Sequence, residues 1–325
     1  MATSWRSLRR RILTPSISST LLETRGFHEK SPVARELLEK IGAMFLTGYG
    51  YSIEARSAAE AEEWLEGLPT QFRGFAYEGA GMGVTILDAL PFTRGDRLPE
   101  FLASRGGDAH IYTAYVGIGW AMARLPRFLW SRFEAPDPLL RWLVLDGYGF
   151  HQAYFHTKKY VHEQFQDTRF PWPADDASGY AGRVIDQGIG RAMWFVGGTD
   201  AALVADLIGA FPDSRHADLY AGAGLAATYA GGADERELTL FRERAGVHRA
   251  QLAQGSAFAA EARARGGVLM PHTGLATQVF CDTTPERAAS ICAETRPDPE
   301  APGDLPAYEI WRQRIADAFA STKAR

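Results

Sequence analysis

Glu78, Asp146 and Asp186 each sit one or two residues before a glycine. Where helices approach backbone to backbone at such glycines, a carboxyl is partly stripped of water. Its pKa then rises into the range that suits general acid work, and Glu78 and Asp146 are the candidates. The plainer reading is that an acid in a first helical turn stabilises the helix dipole, which fits Asp146 and Asp186 equally well. Two histidines, catalytic candidates beside these acids, recur in matching segments, His151 in Gly149-Phe150-His151-Gln152 and His248 in Gly246-Val247-His248-Arg249. Matched positions in a duplicated interior can converge on a metal or haem, but two core histidines bonded to backbone carbonyls fit the same pattern more simply. His151, His156 and His162 are spaced by five and six, and no pair has the helix spacing of three or four that clamps a metal from one face, so no metal site is expected. Arg191 and Arg249 lie on small-residue faces, where a guanidinium would hold a carboxylate or phosphate, or simply pair with the acids above. With Tyr77, Tyr148, Phe150 and Trp194, Arg191 makes the expected lining of an apolar pocket between helices, suited to a long hydrocarbon or polyene.

Other chemistries lack a basis in the chain. No Gly-x-Ser-x-Gly elbow and no Gly-Lys-Ser/Thr phosphate loop occurs, and Asp175-Asp176 is an isolated acidic pair rather than a diphosphate-binding run. Glu78-Gly79-Ala80-Gly81-Met82-Gly83 mimics a dinucleotide fingerprint, but no strand precedes it. No cofactor is indicated.

The elements that must position these residues announce themselves by a repeated Gly-x-Gly. It occurs in Tyr77-Glu78-Gly79-Ala80-Gly81-Met82, in Tyr115-Val116-Gly117-Ile118-Gly119-Trp120 and in Tyr220-Ala221-Gly222-Ala223-Gly224-Leu225. Asp186-Gln187-Gly188-Ile189-Gly190-Arg191 is a looser copy, and Gly48-Tyr49-Gly50-Tyr51 an echo. Each copy lies in a proline-free stretch of apolar and small residues that reads as a buried helix. Glycine inside a helix costs about 1 kcal/mol relative to alanine, so its repeated use requires a compensating close approach of a neighbouring backbone. The expected fold is all-α: a solenoid-like stack of helical hairpins, pseudo-repeated and close-packed at Gly-x-Gly.

Residues 1–31 form a basic, polar segment expected to be irregular, followed by a single helical-repeat domain over 32–325. Its units are expected at about 73–168, 184–265 and 272–321. The first is expected to end in a long helix from Pro138 to about Phe165, and the second in one over Glu235–Arg265. A match between the segments starting at Gly190 and Gly274, at a constant offset, marks the third unit.

Bulk properties bound the function. The net charge of −4 gives no basic field for nucleic acid. The longest apolar runs fall short of a membrane span. Two cysteines give no disulfide framework, and with no signal-like apolar run after Arg9-Arg10-Arg11 a cytoplasmic protein is expected. The arginine-rich start has the composition to touch anionic lipid or a partner's acidic face.

Three stretches carry a family resemblance: 73–82, beginning Arg73-Gly74-Phe75; 146–155, beginning Asp146-Gly147-Tyr148; and 188–198, beginning Gly188-Ile189-Gly190. In these the chain resembles the UnbL-like bacterial proteins of enediyne polyketide gene clusters. The resemblance implies an accessory role in natural-product biosynthesis, acting on or binding an apolar polyene intermediate, alongside other pathway proteins. It maps no catalytic residues onto this chain. The residues leave two other readings open: a helical-repeat interaction scaffold, and a terpene cyclase-like helical enzyme with an acid poised to protonate an alkene.

Overall fold

The computed structural model describes residues 2–91, 95–132, 135–176, 178–299 and 304–321. Among these the protein is all-helical, with no strand. Seven helices form an inner row: α1 (Pro32–Glu54), α2 (Arg73–Ala89), α3 (Ile111–Arg124), α4 (Leu143–Phe155), α5 (Ala181–Val196), α6 (Asp213–Ala230) and α7 (Arg249–Arg265). Each packs on the next in chain order. The remaining helices, 3-10 turns and a π turn lie outside the row or close its ends. Helix starts follow local chemistry: Ser31 accepts from the Ala34 amide with Pro32 in the first turn, and Asp234 with Glu237 forms a reciprocal capping box.

Every junction in the row is a reciprocal pair of glycine-to-carbonyl contacts. A Cβ on Gly79 would fall 1.9 Å from the Phe45 carbonyl oxygen, and one on Gly48 would fall 1.9 Å from that of Ala76. The pattern repeats along the row: Gly81 on Ala114 with Gly117 on Glu78, Gly119 on Val144 with Gly147 on Val116, Gly149 on Ile185 with Gly188 on Asp146. It ends with Gly190 on Leu219 and Gly222 on Gln187, then Gly224 on Leu252 and Gly255 on Ala221. In each pair the higher-numbered contact on one helix meets the lower-numbered one on its neighbour, so successive helices are antiparallel. The spacing leaves room for an α-hydrogen facing a carbonyl and for nothing larger. This is the close approach that offsets the helix propensity lost at glycine.

The same spacing aims the side chains. At about 100° per residue, a glycine and the second residue after it point about 160° apart across their helix. The residue before the first glycine, and those three and seven after it, therefore fall on the shorter arc between the two neighbours. That arc is the inside of the row. The row curls until its end meets its beginning: the Arg263 guanidinium of α7 donates to the Gln71 carbonyl at 2.8 Å, and Tyr229 of α6 packs on Phe75 of α2 at 5.0 Å.

Outer segments fasten this curl. The C-terminal helix, Ala307–Ser321, is held by a buried network in which Arg312 donates to Asp218 at 2.7 Å and to the Tyr180 hydroxyl at 2.9 Å. Arg183 joins Asp218 to Glu309 at 3.0 and 2.8 Å. The N-terminal segment is not irregular, as its polar composition led us to expect. It forms a helix, Ala2–Leu13, and a 3-10 turn, Ile17–Thr20. Ion pairs to α1 and to the helix Ala58–Glu66, not burial of an apolar stripe, order the first helix: Arg10 meets Glu54 at 2.8 Å and Arg6 meets Glu60 at 3.4 Å.

Two helices and one glycine also differ from expectation. The helix expected from Pro138 to Phe165 is shorter, Leu143–Phe155, followed by a π turn over Lys158–His162. The helix expected over Glu235–Arg265 breaks near Gly246, whose φ of 53° lies in the left-handed region. Gly274, in the helix Pro271–Cys281, has open space where a Cβ would go, unlike Gly190, with which its segment aligns.

Candidate functional site

Two cavities lie inside the row. The first is lined by α1, α2, α3, α4, α5 and α6 together with Pro15, Ser19 and Thr20 of the N-terminal segment. Its walls are mainly apolar: Phe45, Phe75, Met82, Trp120, Phe150, Tyr154 and Phe195 among others. About 820 Å³ of non-atom space lies among them, part of it open to solvent. The second cavity, with about 540 Å³ of non-atom space, is lined by α3, α4, α5, α6 and α7 and by Tyr308 and Trp311 of the C-terminal helix. Arg191, Leu225 and Tyr229 line both and form the partition.

The inward face set by the glycines is the lining. Three residues after the glycine that faces the preceding helix in each of α2 to α7 (Gly79, Gly117, Gly147, Gly188, Gly222, Gly255) stand Met82, Trp120, Phe150, Arg191, Leu225 and Phe258, and every one borders a cavity. One residue before it, in α2, α4 and α5, stand Glu78, Asp146 and Gln187, the polar groups gathered around Arg191 of the partition.

Arg191 is the hub of that partition. Its guanidinium donates to Asp146 Oδ1 and lies 3.8 Å from Glu78 Oε1, with its charge 5.1 Å over the Phe150 ring. Glu78 borders the first cavity and Asp146 the second. Trp120 Nε1 donates to Glu78 at 2.9 Å, and Gln187 Nε2 donates to Asp146 at 2.6 Å and to the Tyr308 hydroxyl at 3.1 Å. Burial pushes the Glu78 carboxyl up to about 7, against the pull of Arg191 and with the help of the neighbouring Asp146 charge. Glu78 is therefore balanced between acid and base near neutrality. The Tyr229 hydroxyl and Arg191 Nε are buried and have no hydrogen-bond partner among the described residues.

His151 borders the first cavity, its ring 4.7 Å from Phe155 and 5.4 Å from Trp120. Burial, with Arg124 and His156 adding to it, holds its pKa down to about 3, so the imidazole is neutral.

The other expected site residues lie elsewhere. His248 is half-buried on the outside, 5.9 Å from both His216 and Tyr220, so the two histidines do not converge. Its segment aligns with that of His151, but Gly246 makes a turn there and Gly149 a helix junction. Tyr77 is buried outside the cavities, stacked on His110 at 4.4 Å and donating to Glu66 at 2.8 Å. Trp194 is fully buried and donates to the Gly231 carbonyl at 2.9 Å. Tyr148 packs between Trp130 and Phe170 beside a separate small cleft. Asp186 pairs with Arg215, and Arg249 is exposed. Sequence reasoning passed over Met82, Tyr229, Gln187 and the role of Tyr308, all of which a glycine-relative register or the closing helix brings to the site.

Among the described residues no group of three or more His, Cys, Asp or Glu side chains is placed to hold a metal ion. Cys281 and Cys292 are both free and buried, and burial pushes the Cys281 thiol up to about 12. None of the described helices is long and apolar enough to cross a membrane.

Fold and site together define an all-helical protein whose curled row of glycine-zipped helices encloses two apolar cavities around one buried acid–arginine cluster. The chain belongs to the family described as "Protein of unknown function (DUF1702)", which it matches over residues 4–319. No curated protein and no solved structure matches it.

Proposed function

We propose that the protein binds a slender, largely apolar chain in the first cavity, with the polar end of that chain at Glu78 and Arg191. One observation carries this reading: the aromatic-walled space has its buried charges gathered at the partition rather than spread over its walls. A rigid conjugated chain suits such a space, because it loses little conformational freedom on entry and its π-faces meet aromatic walls. The resemblance to UnbL-like proteins supports a polyene or polyyne intermediate of an enediyne-type polyketide as the natural occupant, and other proteins of that pathway as its source and destination. The Glu78 carboxyl favours a second reading, a helical enzyme that protonates an alkene in the manner of a terpene cyclase. In it Glu78 gives its proton to an alkene carbon and its carboxylate is then held by Trp120 and Arg191. Asp146 is instead engaged by Arg191 and Gln187.

The test uses cis-parinaric acid, a fluorescent linear tetraene. It should bind the purified protein with a rise in emission, and Leu46→Trp, which narrows the first cavity at a half-buried wall position, should weaken binding roughly tenfold with the fold intact. Equal binding by both proteins would refute the cavity reading. Deleting the coding sequence in the native host should abolish one product and accumulate a polyene, and an unchanged metabolite profile would refute the pathway assignment.

A further inference from the structure

The N-terminal helix is built inside out. At about 100° per residue, Trp5, Leu8 and Ile12 share one narrow face. That face points to solvent, with the three side chains 63%, 45% and 67% exposed. The opposite face holds Arg6 and Arg10, ion-paired inward to Glu60 and Glu54, and Leu13, whose carbonyl accepts from the Tyr49 hydroxyl at 3.1 Å. A helix that merely packs on its domain buries its apolar stripe and exposes its arginines. This one does the reverse. Arg11, exposed, and Arg9, half-buried with its Nε covered, flank the apolar ridge on either side, and Ile17 in the turn that follows is 53% exposed.

We infer that this ridge docks on an anionic lipid surface, with Trp5, Leu8 and Ile12 entering the interfacial layer while Arg9 and Arg11 meet the headgroups. Charge complementarity selects the occupant: the chain as a whole is acidic at −4, yet the ridge is bordered by cations, the pattern of an interfacial helix. The chain that follows the helix leads straight to the first cavity, whose wall includes Pro15, Ser19 and Thr20. Thr20 packs against Gly42 of α1 and accepts from the Tyr154 hydroxyl at 3.4 Å. A docked helix therefore sets one wall of the cavity beside the bilayer, where an apolar chain is dissolved. That route for the ligand rests on the proposed cavity function, while the docking itself does not.

The experiment sediments the full chain with vesicles of phosphatidylglycerol and phosphatidylcholine, and with vesicles of phosphatidylcholine alone. Binding should favour the anionic vesicles, weaken as salt is raised, and shift tryptophan emission to the blue. The triple substitution Trp5→Ser, Leu8→Ser and Ile12→Ser should lower vesicle binding about tenfold or more, and Arg11→Glu should lower it on anionic vesicles only. All four side chains are exposed, so thermal melting should leave both variants folded. No vesicle binding by the full chain, equal binding by the triple variant, or capture of an acidic protein in place of vesicles overturns the inference. The triple variant should still bind cis-parinaric acid in solution. Vesicle docking without tetraene binding would sink the cavity reading and leave the surface standing.

Discussion

Glu78 shows how far one side chain's chemistry depends on its neighbours. A native carboxyl raised from its ordinary 4.5 to about 7 holds its proton more tightly than the unfolded chain does. Ionising it therefore costs stability progressively as pH climbs through that window, and the cost is complete above it. Glu78→Gln keeps an oxygen to accept from Trp120 and removes the charge. It should match the wild type near pH 4.5 and exceed it at about pH 8 by on the order of 1–3 kcal/mol, read from thermal melts across pH. A constant difference at all pH values would contradict the raised carboxyl. Arg191→Leu acts the other way, leaving Asp146 buried without its cation, and should cost about 3–5 kcal/mol in denaturant melts. Adding Asp146→Asn to it should recover part of that loss, because the stranded charge is then gone. In the sequence Glu78, Asp146 and Arg191 were legible as candidates from their place beside glycines. Their meeting was not, because they sit on three helices whose approach side a linear pattern does not state.

At the scale of the element, each inner helix is a two-sided zip whose glycines serve different neighbours. Gly117→Ala would put a Cβ 2.1 Å from the Glu78 carbonyl oxygen, a contact that only a backbone shift relieves. It should destabilise by about 2–3 kcal/mol or more, although alanine favours helix by about 1 kcal/mol. Gly274→Ala, in a helix with open space at that point, should instead stabilise by about 0.5–1 kcal/mol. Urea midpoints of the two variants check both signs, and a stabilising Gly117→Ala would defeat the zip. The Gly-x-Gly signal in the sequence thus carried both the helix and its close packing. It also held an unused register: the residue three after each glycine that faces the preceding helix, from α2 to α7, borders a cavity. Matching Gly246 to Gly149 and Gly274 to Gly190 hid this, since neither Gly246 nor Gly274 faces a neighbour's backbone.

For the molecule as a whole, closure of the curl depends on outer segments. Asp218 lies at the centre of the network that fixes the C-terminal helix, bound by both Arg183 and Arg312. Asp218→Ala leaves Arg312 buried and without that partner, and should cost about 3–5 kcal/mol, measured by denaturant unfolding. An unaffected midpoint would mean the helix is held by Tyr308, Trp311 and their apolar contacts alone.

The sequence by itself determined an all-helical chain, its close-packed junctions and the acids and arginine of the partition, because helix period and the absence of a Cβ are local properties. Tertiary structure alone decided that Tyr77, Trp194 and His248 stand away from the cavities, that a polar N-terminus becomes an ordered helix with its apolar face outward, and that the row curls to enclose two spaces. Those outcomes depend on which faces meet across the curl, and on ion pairs such as Arg10–Glu54 between residues far apart in the chain.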